Sequence, residues 1–199
     1  MDTQFHTKLN RTVYLLHPGE FHATGDPVVI STVLGSCIAV ALYDHTARIG
    51  GMNHFLLPGS IDRSHLYTTS EGRYGLFAME LLINQMLKLG AVKARLEAKV
   101  FGGARMFKFD DNESFGRVSE SNVTFAFEYL HTEGIRIVSQ EVGKNYARRV
   151  LFLPDTFQVF LKGIRKPVEE EQIVAEEQRF LTTVRRTTRQ TPASEPDLF

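Results

Sequence analysis

The sequence predicts an α+β layered sandwich of mixed or antiparallel β-sheet with two main helices. Three observations carry this reading. Short runs of β-branched and large apolar residues, bounded by Gly, Pro and Asp, recur along the 199 residues. Only two segments, 74–89 and 123–132, carry a helical pattern of apolar residues. These helices do not alternate regularly with the strands, which argues against a doubly wound parallel sheet.

In chain order, residues 1–11 are polar and expected to be flexible. Thr12 to Leu16 and Val28 to Val33 read as strands joined by a loop over His17 to Pro27. Two further strands follow, one over Leu34 to Asp44 and one over Ile49 to Pro58, and form a predicted hairpin. Gly59 to Gly72 reads as an exposed loop. In 74–89 nearly the whole circumference is apolar, which predicts a largely buried helix, with Gly90 as its stop. Arg95 to Phe101 alternates as a half-buried strand does. The charge-rich stretch after Gly102-Gly103 is irregular up to Ser121. Asn122 is placed to cap a helix over 123–132, which Gly134 ends. Ile135 to Val138, Arg149 to Leu153 and Thr156 to Leu161 supply further strands. Residues 12–164 thus form one domain. Residues 165–199 read as a charged, partly disordered tail in which Ile173, Val174, Phe180, Leu181 and Val184 could anchor a peripheral helix.

Composition bounds the chemistry. The 43% hydrophobic and 23% charged fractions are those of a soluble globular protein. Lys plus Arg and Asp plus Glu are both 23, so no net positive field favours nucleic acid as a ligand. No apolar run is long enough for a membrane span, and the opening stretch lacks a signal-peptide core. A single cysteine forms no internal disulfide, fits a reducing cytoplasm and excludes a multi-cysteine metal site. The seven histidines show no i, i+4 pair, so neither metal nor cofactor is expected.

The chemistry-bearing feature is that cysteine, Cys37. With the hairpin centred on His45-Thr46, opposed residues have numbers summing to 91, and Cys37 faces His54. A solitary cysteine in an apolar run is ordinarily a small buried hydrophobe. Three features favour catalysis: the shared hairpin face, Gly35-Ser36 before the cysteine, and small neighbours on that face (Ala39, Ala41, Gly50) that leave room for a ligand. The Gly35-Ser36 turn can present the N–H groups of Ser36 and Cys37 to an oxyanion. A neighbouring imidazolium would lower the thiol pKa and give a thiolate. Ser31 and Thr32 are the nearest hydroxyls that could orient the ring. A Cys-His pair beside such a hole performs acyl transfer through a thioester. Gly102-Gly103 is too short for a phosphate loop and reads as a tight turn or close backbone approach. Arg148-Arg149 reads as a solvated or edge-strand pair.

Four ordered blocks then resemble the chemoreceptor glutamine deamidases, the CheD family of bacterial chemotaxis. They are Leu34 to Val40, Gly50 to Pro58, Arg73-Tyr74-Gly75 with Ala78-Met79-Glu80, and Glu97 to Phe107. The resemblance spans residues 12–163. It implies a fold similar to the catalytic domains of glutamine-deamidating toxins. It also implies a cytoplasmic protein-glutamine amidohydrolase that acts on methyl-accepting chemotaxis receptors, with Cys37 as nucleophile and His54 as general base. The implied third member is a threonine shortly before the cysteine. Residue type favours Thr32, whereas an ungapped reading falls on Ser31. A CheC-type phosphatase is the further partner implied, with Gly102, Gly103, Met106 and Phe107 as its contact region. The alternative from another class is a non-catalytic adaptor that binds receptor or phosphatase.

Overall fold

A computed structural model describes residues 1–59, 69–105 and 113–190, with side chains of the last helices described over 118–186. Among the described residues ten strands form two five-stranded sheets. In chain order the strands are β1 (Asp2–His6), β2 (Arg11–Leu15), β3 (Phe21–Thr24), β4 (Val29–Leu34), β5 (Ile38–Asp44), β6 (Ile49–Asn53), β7 (Leu96–Gly102), β8 (Arg136–Val142), β9 (Ala147–Leu153) and β10 (Gln158–Ile164). The helices are α1 (Ser70–Lys88), α2 (Glu113–Thr132) and α3 (Pro167–Gln190). One sheet runs β1-β2-β4-β9-β10 and the other β3-β6-β5-β7-β8, each mixing parallel and antiparallel pairs.

The second sheet is the middle layer. On one face Val40, Leu42, Ala98 and Val100 pack with Leu82, Ile83 and Met86 of α1 and Phe125 and Leu130 of α2. On the other, Cys37, Ala39, Ala41, Met52 and Phe101 pack with Ile30, Leu34, Val150 and Phe152 of the first sheet. Every residue of β5 is buried, which is why this strand is apolar on both faces where a surface strand would alternate. The α+β sandwich predicted from the strand runs is the architecture found.

Several elements differ from expectation. The first eleven residues include β1, which pairs antiparallel with β2, and the loop over His17 to Pro27 contains β3. Helix α1 buries one stripe (Gly75, Met79, Leu82, Ile83, Met86) and leaves Phe77 62% exposed, so its apolar circumference does not make it a buried helix. A Cβ at Gly75 would lie 2.6 Å from the Phe125 ring, so the glycine sets the close approach of α1 to α2. Gly90 and Gly134 end their helices at φ +106° and +66°, the left-handed region glycine adopts without penalty. Helix α2 begins at Glu113, well before Asn122, which is therefore interior to the helix and not its cap. The C-terminal segment, read as a partly disordered tail in which a peripheral helix could be anchored, is helical from Pro167 to Gln190 and buries Glu177 and Leu181.

The hairpin register is shifted by two. Asp44 opposes Ile49, Leu42 opposes Gly51, Ala41 opposes Met52, and Ile38 bridges Phe55, so opposed numbers sum to 93. The cause is the Asp44 carboxylate. It accepts the N–H groups of Thr46 and Ala47 at 2.9 and 3.0 Å and pairs with Arg95, which widens the turn to His45–Arg48. A shift of two preserves which face each side chain takes. Cys37 and His54 are therefore diagonal neighbours on one face, not directly opposed.

Candidate active site

Cys37 follows the end of β4, in the short link to β5, and is fully buried. The link is braced from below. Gly103 N–H donates to Cys37 O and Ala104 N–H to Gly35 O, both at 2.7 Å. Asn122 Nδ2 of α2 donates to Ser36 O at 2.9 Å, while its Oδ1 accepts Leu57 N–H at 2.8 Å. With the carbonyls held on that side, the N–H groups of residues 35, 36 and 37 face the other way. Gly102 (φ +112°) allows the approach, since a Cβ there would lie 2.1 Å from Cys37 O.

Gly102 and Gly103, expected at a partner surface, are buried beneath this link and offer no contact area there. Met106 and Phe107 lie outside the described residues. Arg148 is also buried, unlike the solvated pair expected. Its guanidinium donates to Gly102 O at 3.2 Å and Glu141 O at 2.7 Å and pairs with the Glu141 carboxylate.

His54 sits just past β6, its backbone N–H held by Glu20 O and its carbonyl by Gly19 N–H. Thr32 Oγ1 donates to Leu16 O at 2.8 Å and lies 2.7 Å from His54 Nδ1. A hydroxyl has one proton, so with that proton on Leu16 O its oxygen must accept from Nδ1–H. That fixes the tautomer with the lone pair on Nε2, and among the described residues Nε2 has no hydrogen-bond partner. Ser31, one residue away and on the other side of the strand, opposes Leu151 and is not at the ring. The hydroxyl at His54 is that of Thr32. Asn53 points to the opposite face, where it accepts Val40 N–H and donates to Ala78 O.

The resting protonation states run against the thiolate expectation. Burial, then the Glu177 charge and its hydrogen bond with the thiol, push the Cys37 pKa up. Burial pushes His54 down to about 4. The pair is thus a thiol and a neutral imidazole. The room expected beside small residues is also filled: a Cβ on Gly50 would lie 2.7 Å from Pro154 O in the turn between β9 and β10.

A residue that the sequence reading missed completes the site. Glu177 of α3, 4% exposed, accepts Gly35 N–H at 3.0 Å and Cys37 N–H at 3.2 Å on Oε1. Its Oε2 accepts Ser36 N–H at 3.0 Å and Ser36 Oγ–H at 2.6 Å. Three consecutive main-chain donors and a hydroxyl therefore converge on one anion beside the thiol, which is the donor geometry an oxyanion requires. Tyr74 is half-buried nearby, its phenol raised to about 12 by burial and then by Cys37.

A family model described as CheD chemotactic sensory transduction matches residues 56–163. The chain is similar to the probable chemoreceptor glutamine deamidase CheD of Hydrogenovibrio crunogenus, 39% identical over 87% of this chain and 88% of that one. It is 44% identical to the probable chemoreceptor glutamine deamidase CheD 1 of Shewanella oneidensis over 78% of this chain and 74% of that one. The corresponding protein of Caulobacter sp. strain K31 is 52% identical over 71% and 72% of the two chains. Among solved structures, a DUF152 protein of Neisseria meningitidis is similar at a TM-score of 0.46 and 11% identity, over 74% of this chain and 77% of that one.

Proposed function

We propose that this chain, which belongs to the CheD family of chemotactic sensory transduction proteins, hydrolyses the side-chain amide of chemoreceptor glutamines to glutamate and ammonia. The observation that carries the reading is the convergence of the Gly35, Ser36 and Cys37 N–H groups beside the Cys37 thiol. An acceptor-ready His54 Nε2 lies on the same buried face. A structural cysteine needs no such donor array, and an adaptor needs no imidazole held in one tautomer.

In the proposed reaction His54 Nε2 takes the Cys37 proton as the sulfur attacks the carboxamide carbon. The oxygen, gaining charge, accepts from the amides of residues 35–37. His54 then returns the proton to nitrogen, the C–N bond breaks and ammonia leaves a thioester. A water deprotonated by His54 attacks that thioester, releasing glutamate and the thiol. Thr32 keeps Nδ1 protonated throughout and so keeps Nε2 as the base. Because thiol and imidazole are both neutral at rest, proton transfer accompanies attack; a separated ion pair in this apolar layer would be costly.

The receptor is the proposed protein substrate, and the cytoplasm, where a receptor's signalling segment lies, is the proposed site of action. No helix among the described residues is long and apolar enough to cross a membrane. A CheC-type phosphatase is the second proposed partner, with its contact on surface other than the buried Gly102 and Gly103.

Intact-mass analysis of a receptor cytoplasmic fragment tests the reading. Incubation with this protein should give the mass increment of an amide-to-acid exchange, and Cys37→Ala should abolish it while the fragment still binds. Binding without any mass change by the unaltered chain would favour the adaptor; full conversion by Cys37→Ala would exclude the mechanism.

A further inference from the structure

A carboxylate buried at 4% exposure in a helix that is otherwise mostly charged and solvated calls for a cause. Removing it from water costs several kcal/mol unless donors replace the lost hydration. Here four donors do, and all four belong to the loop that carries the nucleophile. The rest of α3 is fitted to the same place. Leu181 joins the buried core between the sheets to which Leu34, Cys37 and Ala39 also belong. Phe180 covers Gly19, where a Cβ would come within 3.1 Å of the ring. Glu176 pairs with His17 Nδ1 at 3.0 Å, and Arg185 Nε donates to Pro58 O at 2.6 Å. The helix thus spans from Gly19, whose N–H holds the His54 carbonyl, to Pro58 in the segment that follows His54.

The chemical identity of the buried group narrows the meaning further. A glutamate γ-carboxylate on a helix is what hydrolysis of a helix-borne glutamine would leave. We propose that α3 is an intramolecular product mimic: Glu177 fills the acyl site, and the groove under α3 is the docking surface for the glutamine-bearing helix of the protein substrate, so that helix and substrate exclude each other. The inference rests on the amidohydrolase reading and adds the form in which the substrate is presented.

Glu177→Gln provides a test within the full chain. Its carboxamide oxygen can still accept from Gly35 and Cys37, while its NH2 group cannot accept from Ser36 N–H, so it seats less firmly than glutamate. Cys37 can then attack that carboxamide in cis. Ammonia departs with the proton from His54, and water cleaves the thioester to leave glutamate. The expected result for Glu177→Gln is slow gain of the amide-to-acid mass increment, abolished in the Cys37→Ala, Glu177→Gln double variant. Alkylation of Cys37 by iodoacetamide should accelerate by about tenfold or more in Glu177→Ala and, with the four hydrogen bonds left in place, by a smaller factor in Phe180→Ala.

Wild-type alkylation rates in both folded variants would overturn the occlusion. Faster alkylation with a Glu177→Gln chain that never loses its amide would overturn the mimicry and leave α3 a bare plug. These readouts need no receptor. A self-converting Glu177→Gln chain that leaves receptor fragments untouched would therefore refute the proposed substrate and uphold this inference.

Discussion

Replacing Thr32 with valine keeps the shape of a buried β-branched residue and removes one oxygen. That oxygen holds two partners, His54 Nδ1 at 2.7 Å and Leu16 O at 2.8 Å, in a position with no solvent access. Each buried polar group left unsatisfied costs about 1–3 kcal/mol. The two orphans lie 3.4 Å apart and can partly satisfy each other, so a total loss of stability of about 1–3 kcal/mol is expected. The effect on the reaction is separate. Without its acceptor the ring is free to tilt or to move its proton to Nε2, which would abolish the base function proposed for it. A loss of about 1.4–2.7 kcal/mol in transition-state stabilisation corresponds to a kcat lower by about 10–100-fold. Thr32→Ser, which keeps the oxygen, should recover most of it. The assay is kcat from intact-mass time courses on a receptor fragment, at a temperature where all variants are folded. Nitrogen chemical shifts of the imidazole report the tautomer in parallel. A valine variant with unchanged kcat and its proton still on Nδ1 would refute the reasoning, because a purely structural role predicts lower stability without a change in tautomer.

Two further outcomes follow from the same geometry. The His54 pKa is about 4 in the fold against 6.5 for an ordinary imidazole, so the unfolded chain binds the proton more readily. The stability this neutral ring contributes is present above pH 6.5 and is lost as pH falls from 6.5 through 4, a decrease of about 3 kcal/mol. Denaturant titrations at pH 7 and pH 4 should show that loss, and it should be absent in a folded His54→Phe variant; equal acid sensitivity in both would assign it elsewhere. Gly102→Ala combines a φ of +112° with a Cβ 2.1 Å from Cys37 O. Strain and overpacking should cost about 2–4 kcal/mol and displace the nucleophile link, seen as a lower melting temperature and loss of turnover, whereas a neutral substitution would mean that the link does not rest on this glycine.

The face shared by Cys37 and His54 was legible because side-chain alternation in a strand depends only on parity. The register was not, since the turn is set by how the Asp44 side chain caps Thr46 and Ala47, and apolar patterning carries no trace of that. The shift of two left Cys37 and His54 on one face all the same. The choice between Ser31 and Thr32 turned on a single residue of alignment, and only the strand pairing assigns Thr32 to the ring. Asn122 misled for a physical reason: an asparagine before an apolar helical run is usually a cap, but here its amide is satisfied by Ser36 O and Leu57 N–H from inside a longer helix. Strand β3 is four residues long and carries too little pattern to stand out of a loop. Glu177 did leave a signal. Val174, Glu177, Leu181 and Val184 fall on one helical stripe, and an acid on an otherwise apolar stripe marks a buried partner; the surrounding run of charges disguised it as solvated surface.

The depth at which Cys37 lies has a consequence for the life of the protein in a cell. Peroxide and other electrophiles react with exposed thiolates, and sulfenic acid is only the first rung of an oxidation sequence that soon becomes irreversible. A sulfur held protonated, with no solvent access and an anion alongside, offers such reagents neither charge nor approach. In the proposed reaction a nucleophile stored in this way would be preserved between encounters, and its chemical ageing would be counted in the time spent working, not in the age of the molecule.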